Sequence, residues 1–383
     1  AVAGVTDNSC FIRHHLRVFD LSRPLRPTEY GVLERFCGVL HASGTVTDAS
    51  SDFPNQLARL QFPRGAIGYR ADVPVFQGDG QICLALGNPR FKDAALQQTK
   101  EQRGAAAAWV QAFRSHGDDA LQQASGRFSV ILVGLDGREA LLATDRFGTW
   151  PVCYAERDGR LHFSDRANAV PGIHRQVSSQ AVFEYLFFHM IPAPTTILEG
   201  VYRLPQGHLL RWQDGKAECR RWWQPRFDED ARPNLEESKA RYLQIIEDGV
   251  RREAEGTEIG CFLSGGTDSS TVTGMLCKVL GRPARSYSIG FDTSGYDEME
   301  YARIAARRFG ADHREYYVTP DDLLDGIPKV ATHYDQPFGN SSAVPAWICA
   351  SRAREDGIDK MLAGDGGDEL FGGNSRYAKQ RVF

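Results

Sequence analysis

The sequence predicts two folds in one chain: stacked antiparallel β-sheets flanked by helices (α+β) in the first half, and a parallel α/β sheet with crossover helices in the second. Three observations carry this. Short apolar runs, several separated by Asp-Gly turns, crowd residues 128–212, as in stacked antiparallel sheets. From Leu235 the texture changes to helical spacing alternating with short apolar strands. Glycine-bearing turns then follow the strands of the second half, at the strand ends where open α/β sheets bind ligands.

The length of 383 residues accommodates two independent cores. A formal charge of −4 gives no electrostatic reason to expect nucleic acid or a membrane surface as partner. The eight cysteines include no Cys-x-x-Cys pair, and no apolar run is long enough to span a bilayer. A reduced cytoplasm is the expected setting.

Residues 1–35 follow neither the helical nor the strand period, and Arg13, His14, His15 and Arg17 read as a solvated arm. We take 1–35 as an extension; a propeptide and an upstream reading frame both stay open. The first domain is expected over 36–225. Phe128 to Val133, Ala140 to Ala143, Val152 to Tyr154, Leu161 to Ser164 and His208 to Trp212 are its strands, with helices at Ala105 to His116 and Ser179 to Phe188. Trp222-Trp223-Gln224-Pro225 closes it, and the charged, Pro-marked stretch 226–234 is the linker. The second domain, 235–383, opens with a helix capped by Asn234 and running to about Arg252. Strands at Ile259 to Leu263, Arg285 to Ile289 and Arg314 to Thr319 alternate with helices at Thr271 to Leu280 and Asp297 to Arg308.

Phe262-Leu263-Ser264-Gly265-Gly266-Thr267-Asp268-Ser269-Ser270 joins a buried strand to a helix. Glycines at this junction let the backbone approach a ligand, and the N–H groups and dipole of a helix start favour an anion there. A Walker-type loop would close on Lys-Ser or Lys-Thr; Asp268 stands there instead. A carboxylate beside phosphates requires a cation between them, so Asp268 is expected to hold Mg²⁺ against pyrophosphate. A turn that merely connects strand to helix is the plainer alternative. Met361-Leu362-Ala363 leads into another such turn, Gly364-Asp365-Gly366-Gly367-Asp368-Glu369-Leu370-Phe371-Gly372-Gly373, followed by Arg376-Tyr377. Three carboxylates within five residues, set among glycines, again suggest a metal, and the alternating acidic spacing of an EF-hand is missing.

The turn at Ser264 resembles the PP-loop of the ATP pyrophosphatases, Ser-Gly-Gly-x-Asp-Ser. The turn at Gly364 resembles the C-terminal signature of the asparagine synthetase family, and the pair in that order is specific. The resemblance covers about residues 36–383. It implies an adenine-nucleotide-hydrolase-like second domain that activates a carboxylate with ATP: the carboxylate attacks the α-phosphorus, pyrophosphate leaves, and an amine or ammonia attacks the acyl-adenylate. It assigns ATP and pyrophosphate to Leu263, Ser264, Gly265, Gly266, Asp268, Ser269, Ser270, Ile289, Gly364, Gly366 and Gly367, and Mg²⁺ to Asp268 and Asp368. Asp365 becomes a base on the incoming amine. Asp335-Gln336-Pro337, with Asn340 and Ser341, resembles the Asp-x-Pro segment near the acceptor substrate; a plain turn with an N-cap Ser is the reading without the family.

Phe36-Cys37-Gly38-Val39-Leu40 with Gly44 is similar to the start of the family's N-terminal-nucleophile (Ntn) glutaminase domain, a class II glutamine amidotransferase, in which the first-residue Cys uses its own α-amine as base. Here a chain precedes Cys37, so that role requires its removal. Arg64-Gly65-Ala66-Ile67 stands for Arg-Gly-Pro-Asp, and Leu86-Gly87-Asn88-Pro89-Arg90 for Asn-Gly-Glu-Ile-Tyr-Asn, so the glutamine-binding assignment of Arg64, Gly87 and Asn88 departs from the pattern. Gly126-Arg127-Phe128-Ser129-Val130, Asp145-Arg146-Phe147-Gly148-Thr149 and Leu204-Pro205-Gln206-Gly207-His208 keep the framework. The implied reaction converts aspartate, ATP and either glutamine or ammonia to asparagine, AMP and pyrophosphate. A specialised amide, lactam or macrocycle synthetase with an inactive glutaminase half is the alternative, and a non-catalytic nucleotide-binding scaffold a further one. Family members continue past the acidic turn at Gly364, which implies that the chain stops short of a full synthetase domain. A homodimer is compatible with this reading; RNA thiolation fits less well, since the sequence shows neither a basic groove nor paired cysteines.

Overall fold

The computed structural model describes residues 18–20 (backbone only), 34–44, 52–173, 175–228, 234–291 and 298–373. Arg13, His14, His15, Arg17, Asp297, Arg376 and Tyr377 lie outside them. The chain divides into two compact units. One comprises Gly31–Gln224 and His333–Gly339, the other Ala1–Tyr30, Pro225–Thr332 and Asn340–Phe383. Residues 333–339, expected from sequence within the second domain, are thus counted with the first unit.

The first unit is built on two six-stranded sheets. One runs Lys216–Arg221, His208–Gln213, Glu139–Thr144, Phe128–Gly134, Gln81–Gly87, Val75–Gly78; the other runs Tyr202–Arg203, Cys153–Arg157, Arg160–Ser164, Phe36–His41, Gly65–Tyr69, Ala58–Phe62. All of these pairs are antiparallel. Alternation along the strands separates two cores. Ile82, Leu84, Ile131, Val133 and Trp212 meet Phe36, Leu40, Ile67 and Phe163 of the other sheet, while Cys83, Ala85, Phe128 and Val130 pack with Trp109 and Phe113 of the helix Ala105–His116. Phe128–Gly134 is therefore buried on both faces. Gly38 admits the Phe163 ring: a Cβ there would lie 2.1 Å from Phe163 Cζ.

The second unit is a five-stranded sheet ordered Val18–Asp20, Lys360–Leu362, Ile259–Phe262, Arg285–Phe291, Asp312–Val318. The last four are parallel, and Val18–Asp20 adds an antiparallel edge to Lys360–Leu362. Asn234 caps the helix Leu235–Ala254 by accepting from the amides of Glu236 and Glu237, which satisfies two of that helix's orphan donors. The helix Thr267–Leu280 begins four residues before the expected Thr271, because the backbone turns at Gly265 and Gly266 is already the N-cap. Met299–Phe309 follows, and the third strand is Asp312–Val318. Ile259–Phe262 is the switch point of the sheet: the next strand in sequence, Arg285–Phe291, lies on one side and Lys360–Leu362 on the other. The register pairs Cys261 with Leu362, so both glycine-rich turns leave the same end of neighbouring strands.

Candidate active site

Glycines let the two turns close on each other. A Cβ on Gly364 would lie 2.7 Å from Ser269 N and 2.8 Å from Asp268 C, and one on Gly367 2.2 Å from Asp268 Oδ2. Gly265, at φ +86°, approaches the next helix just as closely, its Cβ position 2.5 Å from Ala302 N. Asp268, Ser269, Gly364 and Gly367, about a hundred residues apart in sequence, thus form one surface. The first turn of the helix carries Asp268, Ser269 and Ser270, where the sequence spacing predicts a loop.

Side chains organise the first glycine-rich turn from within. Ser269 Oγ accepts from Ser264 N at 3.2 Å, lies 2.9 Å from Ser264 Oγ and donates to Gly266 O at 3.2 Å; Ser264 Oγ accepts from Gly266 N at 3.3 Å. Leu263 is buried with its N–H donating to Tyr287 O at 2.9 Å and its carbonyl accepting from Ser288 Oγ. The Leu263 backbone, assigned to ATP by the resemblance, thus has its N–H spent on the sheet, leaving the carbonyl's second lone pair. Ile289 sits half-buried on the adjacent strand, opposite Tyr316 in register.

Burial first, then the charges of Asp368 and Glu369, raise the Asp268 carboxyl above its usual range. This is the electrostatic state that a cation relieves. Among the described residues no three His, Cys, Asp or Glu side chains converge as a complete metal cage. The donor set fits Mg²⁺, which is commonly held by one or two carboxylates with phosphate and water completing the shell. The Ser270 hydroxyl is buried with no hydrogen-bond partner, so one donor remains for an anion, while Ser264 and Gly266 are exposed with their polar groups bonded within the turn. Asp365 is exposed in the turn before Gly366, which caps the five-residue helix Gly367–Phe371 at φ +93°.

A cleft lined by Tyr242, Ile246, Asp268, Asp365, Gly367 and Phe371 opens at this surface. Tyr242 and Phe371 are not predicted from sequence as site residues. Their rings meet edge-to-face at 4.9 Å, and burial, then Asp268, raises the Tyr242 hydroxyl pKa. The signal that could have found Tyr242 is its sharing of a helix face with Ile246.

Other assigned residues are engaged elsewhere. Asp335, expected near the acceptor, has both carboxylate oxygens bonded to Arg203 Nη2 at 2.8 and 2.9 Å. Asn340 Oδ1 accepts from Ser342 N at 2.9 Å, turning the chain through Ser341 into the helix Ala343–Glu355. Ser342 is its N-cap but makes no side-chain cap bond; the Asn340 side chain organises the turn instead.

In the first unit Cys37 is a mid-strand residue, paired with Ser164 on one side and Gly68 on the other, and packed with Val39, Phe53, Leu57 and Ala66. Burial, then Glu34, pushes its thiol up to about 12. Arg64 Nη1 donates to Ala42 O at 2.8 Å and to Asp214 Oδ1 at 3.3 Å. Gly87, at φ +81°, ends its strand against Arg127 O, and Asn88 Oδ1 accepts from Lys100 Nζ at 2.5 Å. Cys37, Arg64, Gly87 and Asn88 thus each have partners outside this group of four.

Residues 241–383 match the asparagine synthase family profile, which takes in both glycine-rich turns, and residues 92–223 match the glutamine amidotransferase domain. The chain belongs to the asparagine synthetase family. Cys37, Arg64, Gly87 and Asn88 all precede the amidotransferase match. A putative asparagine synthetase (glutamine-hydrolyzing) of Mycobacterium tuberculosis is 28% identical over 318 residues, 80% of this chain and 48% of that protein. Asparagine synthetase (glutamine-hydrolyzing) 1 of Bacillus subtilis is 25% identical over 272 residues, 69% of this chain and 42% of its own length. A putative asparagine synthetase (glutamine-hydrolyzing) 2 of Methanocaldococcus jannaschii is 31% identical over 271 residues, 67% of this chain and 51% of that protein. The chain thus spans about half the length of these curated relatives.

Proposed function

We propose that the protein is an AMP-forming carbon–nitrogen ligase of asparagine synthetase type, joining a small carboxylate, with aspartate favoured, to ammonia or glutamine-derived nitrogen. The observation that carries this is the closure of the two glycine turns, which sets the Asp268 carboxylate against Gly367 within the field of Asp368 and Glu369. In this reading the Ser264–Ser270 turn and its helix start bind the β- and γ-phosphates through the Ser264 and Ser270 hydroxyls, with the Gly266 amide exchanging its bond to Ser264 Oγ for one to phosphate. Asp268 and Asp368 would hold Mg²⁺, which neutralises charge on the departing pyrophosphate. Leu263 and Ile289 supply backbone for the adenosine, Tyr242 and Phe371 wall the cleft, and Asp365 takes a proton from the attacking amine.

An alternative concerns the nitrogen donor. Arg35-Phe36 precede Cys37, so an α-amine would stand beside its thiol only after their removal. Buried in a strand with its pKa pushed up to about 12, it is a core residue rather than a nucleophile. This favours ammonia, or an amine of the substrate itself, over glutamine. The test of the synthetase chemistry is carboxylate-dependent incorporation of labelled pyrophosphate into ATP, which requires neither donor. Asp268→Asn should lower that exchange by about a hundredfold, the scale of losing one preorganised electrostatic contact. Wild-type protein that binds ATP without exchange for any carboxylate is a scaffold instead.

A further inference from the structure

Asp268 and Asp368, the pair assigned to Mg²⁺, are held with unequal firmness. Asp268 stands in the first turn of the helix Thr267–Leu280, whose Val272, Met275 and Leu276 are core. Asp368 rides on the five-residue helix Gly367–Phe371, which has a left-handed glycine at each end, Gly366 at φ +93° and Gly372 at φ +73°. The backbone bonds that tie it to its flanks, Gly367 N on Gly364 O, Leu370 N on Gly366 O and Gly372 N on Asp368 O, all stay within residues 364–372. Among the described residues the Asp368 and Glu369 side chains make no hydrogen bond or ion pair. A helix of one turn gains little from its own bonds, and glycine hinges let it swing, so its position depends on what its side chains meet.

What they meet is Tyr242. The Phe371 ring, at the far end of the short helix, stands edge-to-face on Tyr242 at 4.9 Å and 86°. Tyr242 is half-buried on Leu235–Ala254, a helix whose Ile246 and Val250 share one apolar cluster with Val272 and Leu276 of the Asp268 helix. The like charges of Asp268, Asp368 and Glu369 push the two turns apart, and the ring pair opposes that push. We infer that Tyr242 and Phe371 latch the short helix to the frame that carries Asp268, and so set where Asp368 stands for a divalent cation. Tyr242 is then a positioning residue that acts through Phe371. The inference rests on the ligase reading for its consequence but not for its geometry, since every residue in it belongs to the synthetase-like unit.

The experiment is a double-mutant cycle in the full-length protein: Tyr242→Leu, Phe371→Leu and the two together, with Tyr242→Phe as the conservative variant. Phe371 is 49% exposed, so its leucine variant leaves the core intact even where the change at 242 hinders folding. Two quantities are read: hydrogen exchange of the Leu370 and Gly372 amides without nucleotide or metal, and the Mg²⁺ concentration that gives half-maximal pyrophosphate–ATP exchange. Either leucine should speed amide exchange at 370 and 372 about fivefold, the scale of one aromatic pair, with the Leu235–Ala254 amides at wild-type rates. The Mg²⁺ requirement should rise about fivefold with KM for aspartate within twofold. The double variant should match the singles, and Tyr242→Phe, which keeps the ring, should restore both readouts. Effects that multiply in the double variant, a phenylalanine variant as impaired as the leucine one, or unchanged readouts overturn the inference. A wild type with no pyrophosphate–ATP exchange on any carboxylate overturns the ligase reading and the Mg²⁺ half of this inference, while amide exchange judges the latch alone.

Discussion

Asp268 and Asp365 divide the proposed chemistry between them. Asp268 lies against the Gly364–Gly373 turn, where the charges of Asp368 and Glu369 already oppose its ionisation. Asp365 is exposed at the cleft and is assigned only to the amine step. Asp365→Asn should therefore leave pyrophosphate–ATP exchange within about twofold of wild type and slow amide formation roughly a hundredfold, the usual reach of one general base. Loss of both rates together would place Asp365 in nucleotide binding instead. Cys37 offers a pH test. A thiol held at about 12 is ionised in about one molecule in ten thousand at pH 8, so iodoacetamide should label the exposed Cys219 and leave Cys37 unmodified. The sign for stability follows. The fold favours the neutral thiol, so stability is unaffected below the ordinary value of 9.0 and declines as pH climbs from there toward 12. Rapid labelling of Cys37 in folded protein at pH 8 would contradict its placement. Ser-Gly-Gly-x-Asp-Ser was legible because its chemistry is local; the partner of Asp335 was not, because Arg203 lies 132 residues away and no short-range pattern encodes such a pair.

At the scale of elements, the two turns make a graded prediction. Alanine at Gly364 would drive a methyl into the backbone of Asp268 and Ser269, which cannot yield without disturbing the helix start. Alanine at Gly367 meets the Asp268 carboxylate first, and that side chain can rotate away. Gly364→Ala should thus cost about 1–3 kcal/mol of stability, read as a lower melting temperature. Gly367→Ala should melt near wild type yet bind Mg²⁺–ATP about tenfold more weakly by calorimetry. The reverse order would mean that the turns do not close as described. The bounds of the helices Ala105–His116 and Ser179–Phe188 matched the sequence reading, although in the second only Ala181 is buried. The start of Thr267–Leu280 was missed because its N-cap is a glycine without a side-chain cap bond, which leaves no Ser, Asp or Asn signature. Ala58–Phe62 alternates apolar and polar residues over only five positions, too short a run to stand out, and in the fold only Phe62 of them is buried.

For the whole molecule, the architecture was legible in outline: antiparallel sheets first, a parallel sheet after them, with glycine turns at strand ends. What sequence could not supply was the path of the chain, since residues 333–339 sit in the second half of the sequence but pack with the first unit. Nor could it reveal that Val18–Asp20 pairs with Lys360–Leu362, because edge pairing so remote in sequence leaves no local period. The synthetase-like unit carries the proposed chemistry, and the amidotransferase-like unit packs Cys37 as core. Both statements meet in one assay: pyrophosphate release by the full-length protein with ATP, Mg²⁺ and aspartate, comparing ammonium with glutamine and identifying the amide by mass. We expect one pyrophosphate per amide formed with ammonium, and less than about a hundredth of that rate with glutamine. Equal rates with glutamine, accompanied by glutamate, would make Cys37 a working nucleophile; no aspartate-dependent release with either donor would contradict the assignment of this active site to asparagine formation.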